Sequence, residues 1–269
     1  MEEWYGEKQT NDVMLSFKAS KLLYSGKSKY QDIKIIENET YGRILLLDGT
    51  IQLTEKDEFI YHEVLAHIPL MSLNEPKKVL IIGGGDGGLA REVLKHNVKN
   101  VDLVEIDEEV VNLSKKYLPF VSSSFKDERL KVHIGDGAEF VKNKKAKYDV
   151  ILIDSTDPVG TASVLFTSEF YKNAKNLLKV NGILGSQTGS PFMFPEHFKM
   201  AYENMKIHFK TIRVYTAPIP TYPGTIWSFT FATNGDLKRK RSRNFRTLFY
   251  NEEYHDNNIN PEFLKDLIH

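Results

Sequence analysis

The stretch from Val79 to Leu89 constrains the fold more than any other part of this 269-residue chain. Four apolar residues, 79–82, run directly into residues 83–88, which are all glycine except Asp86, and helix-forming residues follow from Leu89 to Lys95. This order predicts a strand, a tight turn and the start of a helix. Glycines in the turn permit positive φ and close approach of a ligand. The helix behind the turn directs unpaired N–H groups at whatever binds there.

Asp86 is the exception among these glycines. A loop that holds a phosphate should not carry a carboxylate facing its ligand, because the two negative charges repel each other. We therefore expect this loop to hold a ligand with a cation near it.

The bulk composition narrows the class of protein. Lys plus Arg and Asp plus Glu both number 36, so the net charge is zero and does not favour nucleic acid or a membrane surface as the main partner. Cys is absent, which removes disulfides, thiolate catalysis and Cys-ligated metals. The acidic start lacks the apolar region of a secretory signal, and no apolar run approaches the roughly 20 residues that span a bilayer. We expect a soluble cytoplasmic protein.

Residues 1–58 are predicted to form a small antiparallel β domain. Apolar stretches at 30–37, 43–47 and 50–54 read as strands, with a turn at 38–42 and a hairpin at Asp48-Gly49. The region is short for an independent domain, so it should dock on the rest of the chain or pair with another copy.

Residues 59–269 are predicted to form a Rossmann-like catalytic domain of the methyltransferase type. A helix over 55–71 leads into strands at 79–82, 101–105, 131–134, 150–153, 183–186, 212–215 and 226–233. Helices are predicted at 89–96, 108–117, 137–142, 168–178 and 195–209. Strands that alternate with helices favour an α/β fold with a mostly parallel sheet and helices on both faces. Ligands of such sheets bind at the carboxyl ends of the strands.

Glu105 ends the strand that follows the glycine turn. A carboxylate about 20 residues beyond such a turn can accept both hydroxyls of a ribose, which indicates a nucleoside ligand. Dinucleotide oxidoreductases and adenosyl-cofactor transferases share this signal. The next strand ends in Gly135-Asp136-Gly137. Asp136 could accept a hydrogen bond from an adenine amino group or cap the helix that begins at Gly137, and both roles remain open.

A pair of acids, Asp154 and Asp157, follows the strand at 150–153, and Pro158 keeps the segment a loop. Two carboxylates at the mouth of a nucleoside site could ligate a metal or could bind and deprotonate a cationic amine. No His or Cys joins them in the motif. The motifs around the expected pocket carry five acids and no Lys or Arg. A pyrophosphate would be repelled there, whereas an amine and a sulfonium would be stabilised.

These residues are similar to the motifs of the spermidine synthase family, the polyamine aminopropyltransferases. The similarity runs from Trp4 to about Thr233. In chain order its motifs are Tyr30-Gln31-Asp32, Leu47-Asp48-Gly49-Thr50-Ile51-Gln52, Glu58-Phe59-Ile60-Tyr61-His62-Glu63, Gly83-Gly84-Gly85-Asp86-Gly87-Gly88, Glu105-Ile106-Asp107, Gly135-Asp136-Gly137, Asp154-Ser155-Thr156-Asp157-Pro158 and Pro220-Thr221-Tyr222-Pro223. Each motif alone is weak, but together and in this order they are highly specific.

The resemblance implies transfer of an aminopropyl group from decarboxylated S-adenosylmethionine to a diamine, typically putrescine, giving spermidine and 5′-methylthioadenosine. The donor is a co-substrate, so neither a cofactor nor a metal is implied. The resemblance also implies that the N-terminal β domain serves oligomerisation, as a homodimer or homotetramer, and that the loop after Asp157 closes over the substrates.

The family's site residues carry over to matching positions of this chain. Its general base corresponds to Asp154. Its donor contacts correspond to Gln31, His62, Asp86, Glu105, Asp136 and Gly137. Its diamine contacts correspond to Tyr61, Asp154, Asp157 and Tyr222. Under this interpretation Asp86 attracts the amine of the decarboxylated donor and repels the carboxylate of intact S-adenosylmethionine.

Three departures leave the length of the acceptor open. Gly189 stands where many members carry an acid near the far amine, Thr161 replaces a common proline, and the tail at 257–261 lacks the family's apolar ending. Cadaverine, agmatine or a triamine could replace putrescine. The basic run at 238–243 indicates a solvated surface segment rather than a nucleic-acid patch in a chain of zero net charge.

The same kind of sheet also serves other functions, and the residues of this chain disfavour three of them. A methyltransferase would use a cofactor that carries a carboxylate, which Asp86 disfavours. A dehydrogenase is disfavoured by the acidic pocket. A non-catalytic polyamine-binding protein would have no need for the complete set of Tyr61, Asp154, Asp157 and Tyr222.

Overall fold

The N-terminal region is antiparallel, as predicted. In the computed structural model, which describes residues 3–158, 160–237 and 243–264, it contains six strands. These are β1 (Glu3–Lys8), β2 (Met14–Ala19), β3 (Lys21–Lys27), β4 (Asp32–Asn38), β5 (Gly42–Leu47) and β6 (Thr50–Thr54). β1 pairs with β2, and β3 to β6 form a separate four-stranded sheet in chain order. The sequence marked the last three strands, and the first three were predicted only as part of a β-rich region.

The four-stranded sheet is apolar on both faces. Successive residues of a strand point to opposite sides, so Ile35 packs toward the helix that carries Val110 whereas Ile36 packs toward Phe17 on β2. The tight turn between β5 and β6 has positive φ at both Asp48 (49°) and Gly49 (81°), as a two-residue hairpin of type I′ requires. Both faces are covered, which docks this small sheet firmly on the rest of the chain.

A seven-stranded sheet forms the centre of the molecule. Its strands are β7 (Lys78–Gly83), β8 (Asn100–Glu105), β9 (Leu130–Ile134), β10 (Tyr148–Asp154), β11 (Leu178–Gly189), β12 (Thr211–Pro218) and β13 (Ile226–Thr233), in the order β12-β13-β11-β10-β7-β8-β9. β9, β8, β7, β10 and β11 are parallel, and β13 is antiparallel to both of its neighbours. The predicted class, a mostly parallel Rossmann-like sheet beside a small antiparallel β domain, is confirmed.

Helices cover both faces of this sheet. They are α1 (Glu58–Met71), α2 (Gly88–Leu94), α3 (Glu108–Tyr117), α4 (Gly137–Asn143), α5 (Ser168–Leu177), α6 (Pro195–Lys206) and α7 (Glu252–Asn257). Alternate residues of β7 serve the two faces: Val79 and Ile81 pack with α1 and α2, whereas Leu80 and Ile82 pack with α4 and α5. Among the described helices, none has the length and apolar character needed to cross a bilayer.

One predicted helix begins later than expected, and one helix of the structure was not predicted. The helix predicted over 55–71 begins only at Glu58, because the Thr54 hydroxyl donates to the Asp57 carboxylate 2.5 Å away and closes a turn first. α7 was not predicted, since the sequence there reads only as polar.

Residues 238–242 of the basic run lie outside the described residues. Arg243 is described, and its guanidinium donates to the Tyr250 carbonyl at 2.6 Å.

A buried carboxylate on α1 helps to hold the segment after the central sheet. Glu63 is 1% exposed and accepts backbone N–H bonds from Leu248, Phe249 and Tyr250 at 2.7–2.8 Å. A carboxylate with three N–H donors is well satisfied although it is buried. It ties the C-terminal segment to the helix that also supplies part of the central cleft.

We expect Glu63→Ala to lower the free energy of unfolding by roughly 3 kcal/mol, since it leaves buried backbone donors without a partner. Urea unfolding followed by circular dichroism measures this loss. Glu203→Ala on the exposed face of α6 is the matched control and should change stability by less than about 0.5 kcal/mol. Equal losses for the two variants would contradict the role assigned to Glu63.

Candidate active site

The cleft lies at the carboxyl ends of the central parallel strands. β7 ends at Gly83, β8 at Glu105 and β10 at Asp154, and these strands are neighbours in the sheet. Parallel neighbours end on the same edge, so the loops after them line a common space. The N-terminal sheet closes this space from the other side with residues that include Gln31 and Leu47.

Two adjoining cavities occupy the cleft. All six predicted donor-binding residues line the first, namely Gln31, His62, Asp86, Glu105, Asp136 and Gly137, together with Asp154. Asp157 lines the second, and Tyr61 and Tyr222 line both. The predicted site residues are therefore brought together. None of the described residues that line either cavity is Lys or Arg.

The glycine loop makes this proximity possible. Gly83 has φ +82°, and a Cβ there would lie 2.0 Å from the Asp154 carbonyl oxygen. A Cβ on Gly88 would lie 2.3 Å from Cε1 of His62. The Gly84 N–H donates to the Asp154 carbonyl at 2.9 Å and closes the loop against the neighbouring strand. Side chains in place of these glycines would push β10 and α1 away from the loop.

Glu105 is buried at the end of β8. Its carboxylate accepts hydrogen bonds from the N–H groups of Gly85 at 3.1 Å and Asp107 at 2.9 Å. Burial raises the pKa of Glu105 to about 7, although these two donors oppose the shift. A ribose that donates its hydroxyls to this carboxylate would favour the ionised form.

Asp107 holds Gln31 in the cleft, and sequence reasoning missed it. The Asp107 carboxylate accepts from Gln31 Nε2 at 2.9 Å and from the Ser28 hydroxyl at 2.6 Å. A carboxylate only accepts, so the amide nitrogen of Gln31 must face Asp107 and its oxygen is left for a ligand. Asp107 also caps α3, and neither this cap nor the motif Glu105-Ile106-Asp107 indicated its contact with Gln31.

Asp136 realises the cap that was one of its two predicted roles. One carboxylate oxygen accepts from the N–H groups of Ala138 at 2.7 Å and Glu139 at 3.1 Å. Its other oxygen takes no part in these two bonds, and the residue lines the first cavity. The cap therefore leaves the adenine contact open as a further role.

Asp154 lines the first cavity, and its neighbours Tyr61 and Ser155 line both cavities. The Tyr61 hydroxyl donates to its Oδ1 at 2.8 Å, while Oδ2 is buried without a hydrogen-bond partner among the described residues. Burial raises the pKa of Asp154, and the charge of Asp86 raises it further against the opposing charge of His62. A buried acceptor without a donor is costly and fits a ligand that brings one.

The second cavity combines acids with aromatic walls. Burial raises the pKa of Asp157, with the opposing charge of His197 nearby. Tyr222 packs against Tyr61 at 5.8 Å and Trp227 at 4.8 Å between ring centroids. Aromatic faces beside carboxylates suit an alkyl chain that carries ammonium groups.

Glu7 and Trp227 also line the second cavity, and sequence reasoning named neither of them. Glu7 is 6% exposed, and burial raises its pKa to about 7, although the Ile51 N–H donates to it at 2.9 Å. Nothing local in the sequence distinguishes either residue from an ordinary strand residue.

His62 and Asp86 form the polar end of the first cavity. Nε2 of His62 lies 3.4 Å from Oδ1 of Asp86, which also accepts from the Gly88 N–H at 2.7 Å. Ligand atoms of His62, Asp86 and Asp154 fall within 4.8 Å of one another, a spacing that could surround a metal ion. The two ring nitrogens of His62 face carboxylate oxygens, Nδ1 toward Glu58 and Nε2 toward Asp86.

Comparisons with known proteins agree with this geometry. Residues 58–241 match the family model described as spermine/spermidine synthase domain, and residues 3–55 match the spermidine synthase tetramerisation domain. A polyamine aminopropyltransferase of Thermoplasma volcanium is 43% identical over 270 residues, covering 100% of this chain and 98% of the relative. One of Bacillus mycoides is 41% identical and covers 100% of both chains.

Solved structures show the same likeness. A spermidine synthase in complex with the transition-state analogue AdoDATO superposes with a TM-score of 0.96 at 42% identity, covering 99% of this chain and 94% of that one. The spermidine synthase of Thermotoga maritima gives a TM-score of 0.94 at 42% identity, with the same coverage. The chain therefore belongs to the spermidine synthase family of polyamine aminopropyltransferases and is a transferase.

Proposed function

We propose that this chain is a spermidine synthase that transfers an aminopropyl group from decarboxylated S-adenosylmethionine to putrescine, with Asp154 as the general base. The observation that carries the proposal is that two cavities adjoin at Tyr61, whose hydroxyl donates to Asp154 in the first cavity. One cavity offers nucleoside-binding groups, the other offers acids and aromatic rings, and no Lys or Arg lines either of them among the described residues. A solved relative at 42% identity binds a transition-state analogue, which supports the assignment.

The donor would lie in the first cavity. Glu105 and the amide oxygen of Gln31 would accept the ribose hydroxyls, and Asp136 with the backbone of Gly137 would contact the adenine. His62 and Asp86 lie at the far end, where the amine of the aminopropyl group would be bound. A sulfonium and an ammonium suit this acidic end, and a carboxylate beside the amine does not.

The acceptor would lie in the second cavity. Tyr222 and Tyr61 would flank its alkyl chain, and Asp157 would bind its ammonium group. These contacts would direct the attacking nitrogen along the line of the bond to be broken, and such alignment is worth several kcal/mol.

Deprotonation of the amine is the step that needs a base. An ammonium has no lone pair, and an amine pKa near 10.4 makes its removal cost roughly 4–5 kcal/mol at neutral pH. Asp154 would accept this proton. The nitrogen lone pair then attacks the methylene carbon, the carbon–sulfur bond breaks, and its electron pair neutralises the sulfonium. The leaving thioether is neutral and needs no acid.

Assembly follows as part of the same proposal. Residues 1–58 are proposed as an oligomerisation domain and 59–269 as the catalytic domain, in a homodimer or homotetramer. Trp4 and Met14 on β1 and β2 are 60% and 63% exposed, which leaves apolar surface for a second copy. The cytoplasmic location stays a prediction.

Open space lies beside Gly189, next to Asp157 of the second cavity. Gly189 has φ +78°, and among the described residues a Cβ built there would meet Asp157 alone within 4 Å, at 3.9 Å. The space that an acidic side chain would fill is therefore open in this chain. A longer or bulkier amine could extend into it.

Incubation of the enzyme with decarboxylated S-adenosylmethionine and each of putrescine, cadaverine, agmatine and a triamine tests the function. We expect methylthioadenosine to accumulate, with the highest kcat/KM for putrescine. Chromatography of the nucleoside product measures it. Formation of S-adenosylhomocysteine from the intact cofactor would support a methyltransferase instead, and no turnover with any amine would support a non-catalytic binding protein.

Asp154→Asn should lower kcat by 100-fold or more, since an amide cannot accept the proton, with little change in donor affinity. Single-turnover kinetics and equilibrium donor binding separate the two effects. Asp149→Asn, near the amino end of the same strand, is the control and should leave kcat within about threefold. Retained turnover in Asp154→Asn would refute the base assignment.

Asp86→Asn should weaken binding of the decarboxylated donor about tenfold or more, because a charge-assisted hydrogen bond is lost. The preference over S-adenosylmethionine should narrow, because the repelled carboxylate no longer meets a negative charge. Competition binding with the two nucleosides measures both effects on one variant. An unchanged preference would contradict the role of Asp86.

A further inference from the structure

His62 lies between two carboxylates. Its Nδ1 is 2.6 Å from Oε2 of Glu58, and its Nε2 is 3.4 Å from Oδ1 of Asp86. His62 is 3% exposed and Glu58 is 7% exposed, so water does not take the place of either contact. An ionised carboxylate oxygen accepts a hydrogen bond and does not donate one, so Nδ1 donates to Glu58. A positive charge on the ring would also be stabilised by Asp86 on the Nε2 side, so the arrangement favours an imidazolium.

Glu58 is itself held in place by Arg91. Nη1 of Arg91 lies 2.8 Å from Oε1 of Glu58, and Nη2 lies 2.9 Å from Oε2. Such a two-pronged contact fixes the orientation of the carboxylate as well as its charge. Glu58 precedes His62 by one turn of α1, and Arg91 comes from α2 behind the glycine loop. Residues of two helices thus form the chain of contacts that ends at Nδ1 of His62.

We propose that Glu58, held by Arg91, is a positioning residue for aminopropyl transfer. It keeps His62 protonated, and the cation on His62 allows Asp86 and Asp154 to carry negative charge together beside the two substrates. This inference rests on the proposed function, because it assigns Glu58 a part in that reaction.

The charges around His62 come from four parts of the chain. Glu58 and Tyr61 face it from α1, Asp86 from the glycine loop and Asp154 from β10, with Arg91 behind Glu58 on α2. Burial alone would lower the pKa of His62, but the charges of Asp86 and Glu58 raise it to about 9. The ring is therefore charged throughout the neutral range.

The same cation acts on the base. Burial raises the pKa of Asp154, the charge of Asp86 raises it further, and the charge of His62 lowers it. Without the Glu58 charge, His62 would lose its proton at a lower pH and Asp154 would lose its nearest cation. The pKa of Asp154 would then rise, and the base would be protonated over more of the neutral range. Activity would fall at the acid side of the pH profile.

Glu58→Gln tests this in the full-length enzyme. We expect the acid limb of the kcat profile to move up by about one pH unit, since a lost neighbouring charge shifts a pKa by about that much or more. The alkaline side should change less. In ¹⁵N NMR near pH 7.5, wild-type His62 should show two protonated nitrogens and the variant one. Glu58→Asp, which restores the charge, should recover part of the wild-type profile.

Glu92→Gln is the matched control. Glu92 is 1% exposed and also pairs with Arg91, through Nε at 2.8 Å, but within the described part of the chain it makes neither a hydrogen bond nor an ion pair with His62. A loss of stability is expected for both variants, but a shifted pH profile only for Glu58→Gln. Equal shifts would show a merely structural role and overturn the inference, and so would an unshifted profile in folded Glu58→Gln.

The NMR measurement on the wild type needs neither a variant nor turnover. A neutral His62 near pH 7.5 would overturn the inference even if Glu58→Gln does not fold. Absence of aminopropyl transfer by the wild type would instead refute the proposed function, and the protonation state of His62 distinguishes the two failures.

Discussion

The site depends on one close contact between backbones. Gly84 donates to the Asp154 carbonyl at 2.9 Å, and there is no room for a Cβ at Gly83, which would lie 2.0 Å from the same oxygen. This contact places the acids at the ends of neighbouring strands within a single small cleft. Burying carboxylates together is expensive unless cations accompany them. Within the cleft His62 supplies one positive charge, and the sulfonium and ammonium of the proposed substrates would supply the others.

The N-terminal strands are part of the cleft. Gln31, in the turn before β4, is oriented by Asp107 at the start of α3 through a hydrogen bond that spans the two regions. Glu7 from β1 reaches the second cavity. Both cavities are thus composite, and neither region would form them alone.

The parts that the sequence predicted share a physical reason. Strand ends and glycine turns are local patterns, and parallel strands bring their carboxyl ends to one edge, so Glu105, Asp136 and Asp154 could be placed together in advance. The Asp107–Gln31 and Arg91–Glu58 pairs join segments 76 and 33 residues apart. Such pairs exist only after the elements pack. Glu7 and Trp227 lacked any local mark for the same reason, and the separate pairing of β1 with β2 depends on contacts made only across the folded sheet.

The loop that carries Tyr222 is joined to the N-terminal region by side-chain hydrogen bonds. The Tyr222 hydroxyl donates to the carbonyl of Gln52 on β6, and the neighbouring Thr221 hydroxyl donates to Asp57 at 2.7 Å. One wall of the second cavity is therefore anchored to the N-terminal sheet as well as to Trp227 on β13. The width of the second cavity therefore depends on how the N-terminal region is positioned relative to the central sheet. Substitutions at the contact between these two regions, far from the bound amine, would therefore change which length of amine the cavity accepts.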